Sequence, residues 1–314
     1  MKRFKNILYL ADGAPEPGPT LERAVALART NNARLTVIDV VEEQKSPAEI
    51  ESDFGSDLNA ILREHRRQAL ENMVQPFNGP DDLIYTQVLT GTPFIEVIRS
   101  VLSKGYDLVI KACRPPAGFS EHLFGGSDMH LIRKCPCPVW IDRPVAALPY
   151  RRILAAVDPV DEESKDCARL VMNLASSLAQ RESAQLSVVH VWSLYGESML
   201  RSGYARIAEA ELERRIEQTR LCHRDGLDKL LSDYDLSSDD SNVHLLKGNP
   251  AEMIDGLTRE LKADLLVMGT VGRTGIPGFF IGNTAEEMLQ TTTASVLAVK
   301  PADFISPVTV SQMA

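Results

Sequence analysis

The chain has 314 residues, a net charge of −9 and 25% charged residues, a length that suits two domains with a core each and a composition typical of soluble globular proteins. The negative balance excludes the basic face that a nucleic-acid backbone requires and disfavours anionic membrane surfaces, so neither nucleic acid nor membrane is expected as a partner. The first apolar run, in "MKRFKNILYLADG", meets Asp12 too soon for a signal-peptide core or a bilayer span, and no later stretch is long enough. Cys113, Cys135, Cys137, Cys167 and Cys222 form no disulfide framework, which predicts a reducing, cytoplasmic setting.

In chain order, "FKNILYLADG" (residues 4–13) predicts a buried parallel strand closed by Asp12. "TLERAVALAR" (20–29) has the three- and four-residue apolar spacing of an amphipathic helix, and "RLTVIDV" (34–40) is a second strand. "LTGTPFIEVI" (89–98) leads into a helix with Thr92 at the N-cap and Pro93 at its first position. "YDLVIKA" (106–112) and "CPVWIDRP" (137–144) supply further strands. Each segment then recurs. "YRRILAAVDP" (150–159), "CARLVMNLASSLA" (167–179), "QLSVVHV" (185–191), "LKGNPAEMID" (246–255), "ADLLVMG" (263–269) and "ASVLAVKP" (294–301) follow in the same order. The offset grows from 146 at Asp12/Asp158 to 157 at Gly91/Gly248, and stays at 157 through Gly125/Gly282 and Pro144/Pro301. This is an internal duplication.

The expected architecture is therefore α/β: two tandem copies of a five-stranded parallel sheet with helices on both faces, in domains 1–146 and 150–303. In such folds ligands lie beyond the carboxyl ends of the strands, where Asp12 and Asp158 fall. In the second copy "DLLVM" (264–268) runs into Gly269-x2-Gly272-x9-Gly282-Asn283-Thr284. A glycine directly after a buried strand allows a sharp turn and close approach to backbone amides, and a helix opening at Gly282 adds more amides. Together they make an anion nest.

This run, with the strand–Asp start and the closing apolar strand present twice, resembles the universal stress protein family, in particular its tandem two-domain members of the UspE type. The resemblance covers essentially the whole chain. It implies an adenine nucleotide alpha-hydrolase-like fold, with "PVWI" (138–141) and "SVLAVK" (295–300) pairing across the copies as an intramolecular pseudo-dimer; a further homodimer stays open. It places Asp158 at the adenine or ribose edge and Val191 against the base. Met268, Gly269 and Gly272 would line the ribose and first phosphates, and Gly282 and Asn283 the outer phosphates. Asn283 departs from the pattern, where a hydroxyl is expected, and retains an amide donor. "TAEE" (284–287) predicts a capping box, with Thr284 as N-cap and Glu287 reaching back, which would set carboxylates against a phosphate. Arg273 would then clamp an anion or pair with those glutamates. In the first copy Gly269 becomes Ala112 and Gly272 becomes Pro115, leaving Gly125, Gly126 and Ser127 as residual donors.

Other clusters are weaker. Cys113, His122, His130, Cys135 and Cys137 are dense enough to suggest zinc, but C-x-C differs from the usual C-x2-C turn, and Cys137 aligns with Ala294; buried thiols are expected. His190 beside Val191 is expected to be a satisfied core histidine. Phe119, Phe124, Phe279 and Phe280 either seal the two copies or line an apolar channel. The helix at 208–231 is expected to be a solvated outer helix. Neither a Ser-His-Asp order nor a Walker lysine appears. The expected function is a non-enzymatic stress-response protein that binds a small-molecule ligand, ATP or another adenine nucleotide in its second domain. Magnesium is undetermined. The alternatives are an apolar or lipid-like ligand after loss of nucleotide binding, and a slow ATPase or autokinase.

Overall fold

A computed structural model of the chain describes residues 4–14, 16–42, 58–79, 83–113, 124–143, 149–161, 164–202, 208–270 and 282–310. The first copy runs β1 (Asn6–Leu10), α1 (Pro19–Asn31), β2 (Arg34–Val41), α2 (Leu58–Val74), β3 (Ile84–Thr90), α3 (Pro93–Lys104), β4 (Leu108–Ala112), α4 (Gly126–Lys134) and β5 (Val139–Asp142). The second runs β6 (Arg152–Ala156), α5 (Lys165–Glu182), β7 (Gln185–Trp192), a short α6 (Glu197–Arg201), α7 (Glu209–Leu231), β8 (Val243–Lys247), α8 (Pro250–Glu260), β9 (Leu265–Gly269), α9 (Asn283–Thr291) and β10 (Ser295–Val299).

The strands form one ten-stranded sheet in the order β3-β2-β1-β4-β5-β10-β9-β6-β7-β8. Neighbours are parallel except at the centre, where β5 and β10 pair antiparallel, with Ile141 opposite Val296, Trp140 opposite Leu297 and Val139 opposite Ala298. The expected pairing of the closing strands is therefore present, and it joins the copies into a pseudo-dimer. The inner strands are near-continuous apolar runs because both faces are covered. Leu21, Leu70, Leu174 and Leu227 of α1, α2, α5 and α7 pack on one face. Val97, Leu131, Ile254 and Met288 of α3, α4, α8 and α9 pack on the other.

Local signals placed the helix ends. Pro93 and Pro250 open α3 and α8, and the Asn249 side chain accepts the Ala251 amide at 2.8 Å. Thr92 holds the equivalent place without a capping bond from its side chain. α3 ends on Gly105 at φ 66°, a left-handed conformation that costs glycine little. Helix α7 buries Leu212, Leu227, Leu230 and Leu231, while Arg214 and Arg215 both reach Glu211 on its exposed side, as expected of an outer helix.

The seam between the copies is polar as well as apolar. Asp142, at the end of β5, is buried and accepts Thr20 Oγ1 at 2.7 Å, Ser295 Oγ at 3.2 Å and the Tyr150 hydroxyl. Arg23 lies 3.4 Å from Asp142 with its guanidinium 3.6 Å over the Tyr150 ring. Burial and the Asp142 charge push the Tyr150 phenol well above its ordinary range, so it stays a proton donor. Arg143 donates to Thr292 O at 3.0 Å and Ala294 O at 3.1 Å, and its guanidinium lies 4.7 Å over buried Phe124. Phe119, Phe279 and Phe280 lie outside the described residues.

Candidate functional site

Strands β9, β6 and β7 are parallel neighbours, with Ala156 opposite both Met268 and Val189. Asp158 follows the end of β6, Val191 is the last residue but one of β7, and Met268 and Gly269 close β9. From β6 the chain builds outward to β7 and then crosses to β9 on the other side, so these carboxyl ends surround a topological switch point. The start of α9 is tied to the same edge, because the Gly282 amide donates to Thr270 O at 2.9 Å. Asp158, Val191, Met268, Gly269, Gly282, Asn283 and Thr284 thus gather at one end of the second copy. Gly272 and Arg273 lie outside the described residues.

The expected capping box at Thr284 is not formed. Gly282 is the N-cap at φ −62° and ψ 142°, and α9 begins at Asn283, placing Thr284 inside its first turn. The bond from Gly282 to Thr270 starts the helix before Thr284 is reached. Among the described residues no side chain caps α9. Glu286 turns away to pair with Arg133 of α4 in the first copy. The amides that open the helix, with their positive end of the dipole, therefore face the site without a capping carboxylate.

Gly269 and His190, near this end of the second copy, each meet a partner within the protein. A Cβ at Gly269 would lie 2.8 Å from Cys167 Sγ, so the missing side chain lets α5 approach β9. Burial pushes the Cys167 thiol up to about 11. His190 is buried, with Nδ1 2.9 Å from Val157 O and Nε2 2.8 Å from His223 Nδ1. A carbonyl only accepts, so His190 Nδ1 carries a hydrogen toward Val157 O. It is a satisfied core histidine, as expected.

The same end of the first copy is built differently. Lys111 stands where the second copy has Met268, and Asp128 where it has Ala285. The Lys111 ammonium is 2.9 Å from Asp12 Oδ2 and 2.7 Å from Asp128 Oδ1. Lys111 is 2% exposed and Asp128 0%. The other Asp128 oxygen accepts the Gly125 amide at 3.0 Å, at the start of α4. Burial opposes the Lys111 charge, but Asp128 and Asp12 outweigh it and hold the ammonium above its ordinary range. Asp39 adds a further carboxylate, accepting the Gly13 amide at 3.0 Å and lying 3.5 Å from Arg66. The positive helix end is satisfied by the chain's own carboxylate, and that carboxylate by the chain's own lysine. Neither Lys111 nor Asp128 was among the sequence candidates. The usable signal was a charged residue facing an apolar one at the constant offset of 157.

Among the described residues no group of three His, Cys, Asp or Glu side chains is placed to hold a metal ion. No described helix is long and apolar enough to cross a membrane.

The model of the family described as "Universal stress protein family" matches residues 3–143 and again 149–300. The chain belongs to the universal stress protein family. It is a tandem member of the UspE type: it is 26% identical to universal stress protein E of Escherichia coli (strain K12) over 321 residues, covering 98% of both chains. It is 28% identical to universal stress protein E of Salmonella typhi over 318 residues, again covering 98% of each. A universal stress protein structure from Pseudomonas aeruginosa UCBPP-PA14 shares the fold at a TM-score of 0.73 and 24% identity, covering 96% of this chain and 95% of that one. One from Archaeoglobus fulgidus DSM 4304 does so at 0.57 and 15%, covering 95% and 99%. As a tandem universal stress protein, the chain carries two copies of the fold whose equivalent ends differ, with a buried Lys111–Asp128 ion pair in the first and uncharged Met268 and Ala285 in the second.

Proposed function

We propose that the protein is a stress-response binding protein whose second copy holds an adenine nucleotide such as ATP, while the first copy serves as its structural partner. The observation that carries this is the contrast between the two helix starts. At α4 the place next to the amides is filled by Asp128 and Lys111. At α9 the same positions are Ala285 and Met268, both buried and uncharged. A helix start without a capping carboxylate favours a bound anion, and phosphate oxygens satisfy several amides at once.

In this proposal Asp158 meets the ribose or adenine edge and Val191 the base. Met268 and Gly269 lie under the ribose, Gly282 opens the helix beside the phosphates, and the amides of Asn283 and Thr284 donate to phosphate oxygens. Gly272 and Arg273, assigned by the family resemblance, complete the cradle. Asn283, exposed at the first helical position, offers its side-chain amide where other members offer a hydroxyl. The role is binding without turnover.

The test exchanges the two helix starts. ATP is expected to raise the melting temperature of the wild type, and nucleotide is expected in the supernatant when freshly purified protein is denatured. Met268→Lys combined with Ala285→Asp installs the first copy's ion pair in the second, and should weaken ATP binding at least tenfold while the protein still melts cooperatively. Undiminished ATP affinity in that folded double variant would sink the proposal. So would release of an acyl compound in place of nucleotide.

A further inference from the structure

Two thiols at the end of α4 have no part in nucleotide binding. Cys135 closes the helix, its amide donating to Leu131 O at 2.9 Å, and Cys137 follows just before β5. Their sulfurs are 3.5 Å apart. Pro136 biases the residue before it toward extended backbone, and Cys135 has φ −73° and ψ 130°. In an extended chain, residues two apart send their side chains to the same side. A single residue separates the pair, so bringing the sulfurs together orders almost no additional chain.

The surroundings differ for the two sulfurs. Cys135 is fully buried, and the Lys300 ammonium, held by Ile132 O at 2.7 Å, lies close enough to interact with it electrostatically. Cys137 is half-buried.

We propose that Cys135 and Cys137 are a dithiol site that closes to an intramolecular disulfide when the protein meets hydrogen peroxide. The Cys137 sulfur, as thiolate, attacks one peroxide oxygen; the O–O bond breaks, hydroxide leaves, and Cys137 becomes a sulfenic acid. The Cys135 sulfur then attacks the Cys137 sulfur, and the S–O bond breaks to release a second hydroxide. The two protons given up by the thiols combine with the two hydroxides as water. The sulfurs lose two electrons and the peroxide gains them. The S–S distance closes from 3.5 Å to about 2.05 Å, and a thiol reductant reverses the step. The hydrogen bond with Cys135 and burial hold the Cys137 thiol well above its ordinary value, so closure quickens as the solution becomes more alkaline. A transient disulfide is the kind compatible with a reducing compartment.

The experiment exposes the full-length protein to hydrogen peroxide, blocks free thiols with N-ethylmaleimide, and reads the peptide containing Cys135 and Cys137 by mass spectrometry. Exposed Cys222 serves as the internal control for oxidation. The expected result is that this peptide loses two hydrogens, escapes the label, and takes it up after dithiothreitol treatment. In Cys137→Ser, Cys135 should remain open to the label after unfolding. Full labelling of both cysteines under peroxide that oxidises Cys222 would overturn the proposal. Equal protection of Cys135 in a folded Cys137→Ser variant would overturn it as well.

Discussion

Arg143 and Lys300 occupy the same position in the two copies, and each donates to carbonyls at the end of the other copy's last helix. Arg143 reaches Thr292 O and Ala294 O beyond α9, and Lys300 reaches Ile132 O in the last turn of α4. Both follow the strands that pair at the sheet centre, so the antiparallel β5–β10 contact carries one cation to each helix end. Cations there complement the negative end of the helix dipole. Thr292 and Ala294 are buried, so Arg143→Met leaves their carbonyls without this donor and without water. It should destabilise the protein by about 2–4 kcal/mol in urea unfolding. A loss below about 0.5 kcal/mol would show that the bonds are replaced.

Lys300 has a pH signature. Burial lowers its ammonium to about 8, with Cys135 and Cys167 opposing the shift, against an ordinary value of 10.5. Between those values the folded protein has released the proton and the unfolded chain still binds it, so the Lys300 contribution to stability rises with pH. The stability of the wild type relative to Lys300→Met should therefore improve from pH 8 to pH 10.5, by up to about 3 kcal/mol. A difference that stays flat across that window would contradict the lowered value.

The Lys111–Asp128 pair should behave as a unit. Lys111→Met alone leaves Asp128 buried with no counter-charge, and should cost about 3–5 kcal/mol. Adding Asp128→Ala, the second copy's residue, should recover most of that loss, with a coupling energy of at least about 1 kcal/mol in a double-mutant cycle. Additive losses would mean that the two side chains do not depend on each other.

Gly269 separates a packing role from a binding role. Gly269→Ala places a methyl 2.8 Å from Cys167 Sγ and should cost about 1–3 kcal/mol by overpacking. Cys167→Ala should restore stability in the double variant, in which a remaining loss of ATP affinity would report the place of Gly269 under the ribose. Failure to restore stability would place the cause at the backbone turn.

The duplication and the alternation of strand and helix were legible in the sequence, and the pairing of the closing strands was implied by the family resemblance. Apolar runs, acidic strand ends and a constant offset are local signals that survive without any alignment. The helix opening at Gly282 was legible, but a capping box at Thr284 was expected as well, because Thr284 and Glu287 form an acceptable box on their own. The bond from Gly282 to Thr270 O takes precedence, and no local pattern encodes it. The site in the first copy was read from its lost glycines, yet its actual content is Lys111 and Asp128, which looked like ordinary strand and helix residues. Only comparison of the copies position by position, charged against apolar, exposes them. The seam network escaped for the same reason. Thr20, Arg23, Asp142, Tyr150 and Ser295 are scattered along the chain and meet through tertiary packing.

The β5–β10 pairing also changes how the assembly answers to concentration. Where two separate chains meet through such a strand, dilution pulls them apart by mass action. Here both strands belong to one polypeptide, so their encounter is set by the length of the linker and stays the same at any protein concentration. A cell carrying a few molecules of this protein would hold as large a fraction of paired copies as one carrying thousands.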